Sequence, residues 1–395
     1  MSKLQIAIVA ASARAPGGQA VQAAQLLGAW HGDPAVDARL VSINPQPPRI
    51  LGALDRNKYG RQFLAANLYL PQLATRLAHA DVVHVFGAAY RAFLLAPLAA
   101  LLLARPYRVP VVLNYRNGEG PDHLAHSPIA RAAIRHADRV VVPSAFLAQA
   151  FAGFGLKTTA IANIVDLQRF AFRERPVLRP RLLSTRNLHG LYNISCTLRA
   201  FRMIQDRRPD ATLTIAGDGP KRSVLEQLSG LLGLRGVRFL GRVAYDQMPS
   251  LYADHDVYVQ TPDVDNQPNS VLEAFASGLP VVSTDVGGMS AMVANGTQGL
   301  LVPKNDHASL ANEVLRLLEN PRLARELTAG ARVACERHTW PVVRDQWLRL
   351  YEELAAARGA RVVRRTGLAQ PQACNFPVEG NALPPRRAHR RFLSL

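Results

Sequence analysis

A chain of 395 residues, 48% hydrophobic and 19% charged, has room for two ordinary domains and too many apolar side chains to be disordered. Its formal net charge of +18 favours anionic partners such as phosphates or acidic lipid surfaces, but no basic helix with interleaved aromatics accompanies it, which argues against nucleic acid. The odd set Cys196, Cys335 and Cys374 lacks metal-ligand spacing and excludes a disulfide framework, which fits a reducing, cytoplasmic compartment.

The N-terminus runs directly into the apolar stretch Ile6–Val9, read as a first strand with no signal peptide ahead of it. Gly17 and Gly18 then open a helix reaching Trp30. Strands follow at 38–43, 81–85, 110–114 and 139–143. The longest apolar run, 92–104, is interrupted by Pro97 and is too short for a membrane span, so it reads as a buried helix. Ser144 is placed to cap the helix that starts at Ala145. This alternation is that of β-α-β units in a parallel sheet.

Residues 166–181 carry Arg173, Arg175, Pro176, Arg179 and Pro180 without periodicity, as a linker would. A second alternation starts at Leu182, with strands at 212–216, 237–240, 257–260, 280–283 and 299–302. Helices are predicted at 221–233, 270–276, 307–319 and 321–336. The expected organisation is one Rossmann-like domain over 1–165, a second over 182–340, and a helix at 341–358 able to cross back to the first domain. From 359 to 395 a basic tail follows that reads as disordered. Residues 358–395 hold eight arginines against one acid, Glu379, a balance of +7. Two readings of this tail stand: a solvated segment, or a peripheral contact with an anionic membrane on the inner face of the plasma membrane.

The densest signal lies in 261–288. A loop carrying Asp265 leads into a helix carrying Glu273, then a tight turn at Gly278 and the buried strand around Val281–Val282. The helix N-terminus offers the amides of Ser270, Val271 and Leu272 to a phosphate. Two carboxylates beside such a site suit sugar and ribose hydroxyls, since each accepts two charge-strengthened hydrogen bonds. Asp263-Val264-Asp265 is also nominally a metal-holding Asp-x-Asp triplet.

The segment from Asp265 through Glu273 and Ala274-Phe275-Ala276-Ser277-Gly278-Leu279-Pro280-Val281-Val282 resembles the acidic-pair motif of glycosyltransferase family 4, the retaining group 1 glycosyl transferases. Asn163-Ile164-Val165-Asp166 with Phe170 is similar to that family's linker signature. Ala216-Gly217-Asp218-Gly219-Pro220 resembles its second-domain turn, and Gly17-Gly18 its first-domain glycine turn. The resemblance implies an α/β protein of the GT-B fold, two Rossmann-like domains facing each other across a cleft. It implies transfer of a hexose-type residue from a nucleoside-diphosphate sugar to a glycan, lipid or other acceptor. The donor would lie on the second domain and the acceptor on the first. Asp265, Glu273 and Arg116 would be the catalytic residues, and Gly17, Gly18, Arg186, Tyr192, Gly217, Ser270, Val271, Leu272 and Glu273 would bind the donor. With Arg186 and helix amides neutralising the diphosphate, no metal or other cofactor is expected.

Three departures accompany the match. No Lys follows Arg186 at the family's spacing, so that cation is missing or replaced by the hydroxyl of Tyr192. Arg116 stands where many members carry a catalytic His. Met289-Ser290-Ala291 replaces the usual Pro-Glu after Gly287-Gly288. His84 and His123 are further candidates near the cleft. The rival readings are a non-hydrolysing sugar-nucleotide epimerase and a catalytically inactive sugar-nucleotide-binding protein.

Overall fold

The computed structural model describes residues 3–12, 17–45, 58–87 and 89–357. Two six-stranded parallel sheets organise them. The first contains β1 (Leu4–Ala10), β2 (Val36–Ser42), β3 (Val82–Gly87), β4 (Val111–Tyr115), β5 (Arg139–Val142) and β6 (Thr159–Ala160), in the order β2-β1-β3-β4-β5-β6. The second contains β7 (Arg181–Ser184), β8 (Thr212–Ala216), β9 (Val237–Gly241), β10 (Val257–Gln260), β11 (Val281–Thr284) and β12 (Leu300–Val302), in the order β12-β11-β10-β7-β8-β9. Helices cover both faces, so central strands such as β3, β4, β10 and β11 are buried throughout and read as near-continuous apolar runs. Strand order reverses between β1 and β3 and again between β7 and β10. The crevices beyond the carboxyl ends at such reversals are where doubly wound sheets hold ligands. The GT-B arrangement of two Rossmann-like domains is thus observed.

The last helix, Trp340–Ala357, returns to the first sheet. Val343, Trp347, Leu350, Tyr351 and Leu354 share a core with Ile6, Ile8, Trp30 and Val82. Arg344 donates to Asp33 at 2.7 Å and fixes the helix laterally.

Three elements differ from the sequence reading. The apolar run 92–104 is two helices, Tyr90–Leu95 and Pro97–Ala104, because Pro97 can start a helix but cannot continue one. A helix at Lys58–Leu77 went unread, its apolar spacing (Tyr69, Leu73, Leu77) obscured by the internal Pro71. The stretch read as a linker is fastened to the second domain. Phe170 is fully buried against Tyr252. Arg175 donates to the carbonyls of His255, Tyr252 and Ser277 and pairs with Asp256 at 3.4 Å. Among the described residues no helix is long and apolar enough to cross a membrane. The tail 359–395 and Cys374 lie outside the described residues; Cys196 and Cys335 are buried free thiols.

Candidate active site

The second domain's site starts where β7 ends. The chain turns outward through Thr185 and Arg186, and the turn after β8 lies directly on it. Gly217, at φ 154°, packs so closely that a Cβ would sit 2.3 Å from the Arg186 carbonyl oxygen. Only glycine permits both that conformation and that approach. The backbone so held aims a buried guanidinium. Arg186 Nη2 donates to Asp265 Oδ2 at 2.7 Å, and Nη1 donates to Ser270 Oγ at 3.1 Å. Its planar group lies 4.1 Å from the ring centroid of Tyr192, and Nε is buried without an acceptor among the described residues. Burial opposes the charge, but Asp265 and the phenols of Tyr192, Tyr258 and Tyr252 outweigh it and raise the pKa. Tyr192 thus meets Arg186 through its ring face and lines both cavities of the site.

Asp265 sits on the loop after β10, and the Gly287-Gly288 pair holds that loop. Gly288 N donates to the Asp265 carbonyl at 3.1 Å, and a Cβ at Gly287 would stand 2.0 Å from the same oxygen. Burial pushes the Asp265 carboxyl up, while Arg186 and the Asn266 amide pull it back. Glu273 lies one turn into the helix Asn269–Ala276 and accepts from the Tyr252 hydroxyl at 2.9 Å. Burial raises its carboxyl to about 7, against the opposing pull of Tyr252, Arg186 and Arg169. The expected phosphate-binding amides need correction. Val271 and Leu272 donate back to the Pro268 carbonyl, because the helix begins one residue earlier than predicted. Their side chains are core residues. The amides of Asn269 and Ser270 precede the first helical bonds and are the orphan donors.

From the first domain, Gly17 (φ 142°) opens the helix Gly18–Trp30, and Asn269 Nδ2 donates to the Gly18 carbonyl at 3.1 Å. Arg116 follows β4. Its Nε donates to Asn114 Oδ1 at 2.8 Å and its Nη1 to Asn163 Oδ1. No carboxylate pairs with it among the described residues, and burial pushes its pKa down to about 9. Asn163 ties the domains together: Nδ2 donates to the Gln267 carbonyl (2.7 Å) and Asn269 Oδ1 (2.9 Å), and its amide donates to Gln267 Oε1 (2.7 Å).

His84 and His123 do not reach the cleft. Asn114 Nδ2 donates to His84 Nε2 at 2.8 Å, which makes Nδ1 the donor to Tyr351 at 2.6 Å. Full burial, with Arg116 nearby, keeps this ring neutral. His123 bonds the Tyr115 hydroxyl at 2.8 Å inside the core. The Asp-x-Asp carboxylates diverge: Asp265 faces Arg186, whereas Asp263 accepts from Asn193 at 3.0 Å with Lys304 at 3.9 Å.

Two cavities meet at this point. One of about 290 Å3 is lined by Arg186, Gly217, Ser270 and Glu273 together with Gly17 and Gly18. The second, of about 470 Å3, shares Gly17, Gly18, Arg186 and Tyr192 and adds Arg116, Asp265, Asn163 and Gln267. Arg242, Tyr245 and Met248 on the first cavity were missed by the sequence reading; the available signal was Gly241 ending β9 at φ 70°. Tyr252 was missed for want of any local signal.

Residues 16–169 match the family described as Glycosyltransferase Family 4, and residues 179–320 match Glycosyl transferases group 1. The chain is 30% identical over 351 residues to glycogen synthase of Mycobacterium tuberculosis, covering 83% of this chain and 79% of that one. It is 30% identical over 215 residues to a phosphatidyl-myo-inositol mannosyltransferase of Mycobacterium leprae, covering 53% and 56%. Among solved structures, sucrose-phosphate synthase from Thermosynechococcus elongatus superposes with a TM-score of 0.73 at 20% identity, over 90% of this chain and all (100%) of that one. HepE of Anabaena in complex with UDP-glucose gives 0.69 at 19% identity, over 89% and 100%.

Proposed function

This chain belongs to the family 4 and group 1 glycosyltransferases, and from that premise we propose that its donor is a nucleoside-diphosphate sugar, transferred with retention at the anomeric carbon. The observation that carries the reading is the position of Arg186. It lies at the strand-order reversal, on the walls of both cavities, beside Ser270 at a helix N-terminus. A diphosphate at that junction meets the guanidinium fork, the Asn269 and Ser270 amides and the Gly17–Gly18 turn. The nucleoside then occupies the smaller cavity, where ribose hydroxyls donate to Glu273. The sugar extends into the larger one beside Asp265.

The chemistry asked of the protein is stabilisation of negative charge on the departing diphosphate, and Arg186 supplies it from a preorganised, buried position. No metal enters this proposal, since the acids that would hold one engage separate cations. Asp265 is tied to Arg186 and is poorly placed as a nucleophile. That favours front-face attack, with the acceptor hydroxyl entering on the side the diphosphate leaves. A glycan or lipid acceptor approaches from the first domain. The arginine-rich tail supplies a further contact with anionic lipid.

Calorimetric titration of UDP-, GDP- and ADP-sugars, followed by proton NMR of the anomeric coupling in the product, tests both halves. No binding of any nucleotide sugar overturns the donor assignment; an inverted product overturns retention. Isomerised donor without transfer identifies an epimerase.

A further inference from the structure

Resting on that donor reading, we infer that the sugar side of the cleft recognises a carboxylate, held between Arg116 and Gln267. Both donors hang on one residue. Asn163 accepts from Arg116 Nη1 through Oδ1, while its backbone amide donates to Gln267 Oε1 at 2.7 Å. A guanidinium and a side-chain amide are thereby fixed on the same cavity wall. Among the described residues, no protein atom accepts from Nη2 of Arg116 or Nε2 of Gln267. Asn114 Oδ1, itself oriented by His84, takes Nε of the same guanidinium and stops it from swinging.

The charge inventory of the wall favours an anion over a neutral hydroxyl. Asp265 is already neutralised by Arg186 at 2.7 Å, and Glu119, the other acid on the wall, makes no pair with Arg116. Among the described residues Arg116 is thus a largely buried cation bonded only to neutral amide oxygens, and burial pushes its pKa down to about 9. A buried charge without a counter-charge is costly, and a ligand carboxylate relieves that cost with charge-assisted bonds.

Position separates this site from the diphosphate. Arg186, Gly17 and Gly18 border both cavities, whereas Arg116 and Gln267 border only the larger one and Glu273 only the smaller. Arg116 therefore lies beyond the diphosphate from the nucleoside. The carboxylate has two available sources: a uronic-acid-type donor sugar, or an acidic sugar of the acceptor.

UDP, GDP and ADP are first titrated to identify the base. The hexose and hexuronate esters of that nucleotide are then compared (UDP-glucose and UDP-glucuronate if UDP binds). Glucose and glucuronate are also titrated into enzyme saturated with the diphosphate. An acid preference of about tenfold or more is expected in one arm. The ester arm places the carboxylate on the donor, and the free-sugar arm places it on the acceptor. Arg116→Gln removes the preference and leaves diphosphate affinity unchanged. Gln267→Glu, which keeps the oxygen that accepts from the Asn163 amide but loses the Nε2 donor, lowers it as well and serves if the first variant melts early. Equal affinities for acid and neutral sugars in both arms overturn the inference. So does an Arg116→Gln variant that weakens the diphosphate itself as much as its hexuronate, which would put Arg116 on phosphate. Failure of every diphosphate to bind overturns the donor reading, and this inference with it.

Discussion

Glu273→Gln should make the free enzyme more stable and the donor complex weaker. Glu273 is 6% exposed, and burial raises its carboxyl from 4.5 to about 7. That rise corresponds to about 3 kcal/mol spent on ionising the group in place. The folded state holds this proton more tightly than the unfolded chain does. The cost is therefore absent below about pH 4.5, grows between there and about pH 7, and is complete above it. Glutamine carries no such cost and keeps the hydrogen bond from the Tyr252 hydroxyl through its amide oxygen. At pH 8 the variant should melt roughly 5 °C above the parent, taking about 2–4 °C per kcal/mol and part of the 3 kcal/mol recovered. At pH 5, just above the unfolded value, only about a quarter of that difference should remain. Donor affinity should move the other way. Exchanging charge-assisted for neutral hydrogen bonds to the ribose costs about 1–2 kcal/mol, roughly a 5- to 30-fold loss. The parent's affinity should weaken as pH falls below about 7, where Glu273 protonates, and the variant's should stay flat. Differential scanning calorimetry and donor titration at pH 5 and pH 8 read both effects. A variant that melts lower at both pH values, or binds donor as tightly as the parent at pH 8, would refute the reasoning.

Arg186→Ala should cost about 1.5–3 kcal/mol more in nucleoside-diphosphate than in nucleoside binding; equal losses for the two ligands would remove Arg186 from the phosphates. The same change leaves the Asp265 carboxylate without its partner, so a melting curve should show destabilisation that grows with pH as that carboxyl ionises. Asp265→Asn should lower turnover at saturating donor more than donor affinity, because sugar positioning matters most as the glycosidic bond breaks. Asp265→Glu should retain activity; steady-state kinetics separate these outcomes from a purely structural role. Gly217→Ala should destabilise by about 2 kcal/mol or more and weaken donor binding, since its Cβ would stand 2.3 Å from the Arg186 carbonyl; unchanged melting and binding would contradict that packing. Truncation after Ala357 should remove arginine-driven liposome binding, at about 1 kcal/mol per residue near an anionic surface, and leave the melting temperature in place. Cosedimentation with acidic vesicles and a melting scan decide this.

The α/β class and the family were legible because their determinants are local. Buried parallel strands such as Val257–Gln260 and Val281–Thr284 are short apolar runs. Gly278 before the second of these strands and Gly287 after it mark turns at φ 73° and 57° that no other residue adopts easily, and Asp265 and Glu273 are eight residues apart on one loop and helix. Spacing over a few residues carries all of that. The partners of those residues were not legible, because they come from far along the chain. Tyr252 lies 21 residues before Glu273, and Arg116 and Asn163, 47 residues apart, are joined only by the fold. His84, read as a cleft candidate, is sealed by Tyr351 from the last helix, 267 residues away. Arg175, read as linker charge, is buried among carbonyls of the second domain. Burial and electrostatic pairing are set by the packing of distant segments. The raised carboxyl of Glu273 and the uncompensated charge of Arg116 were therefore decided by tertiary structure alone, whereas the residues themselves, their helix and strand settings and the glycine turns that aim them were written in the local sequence.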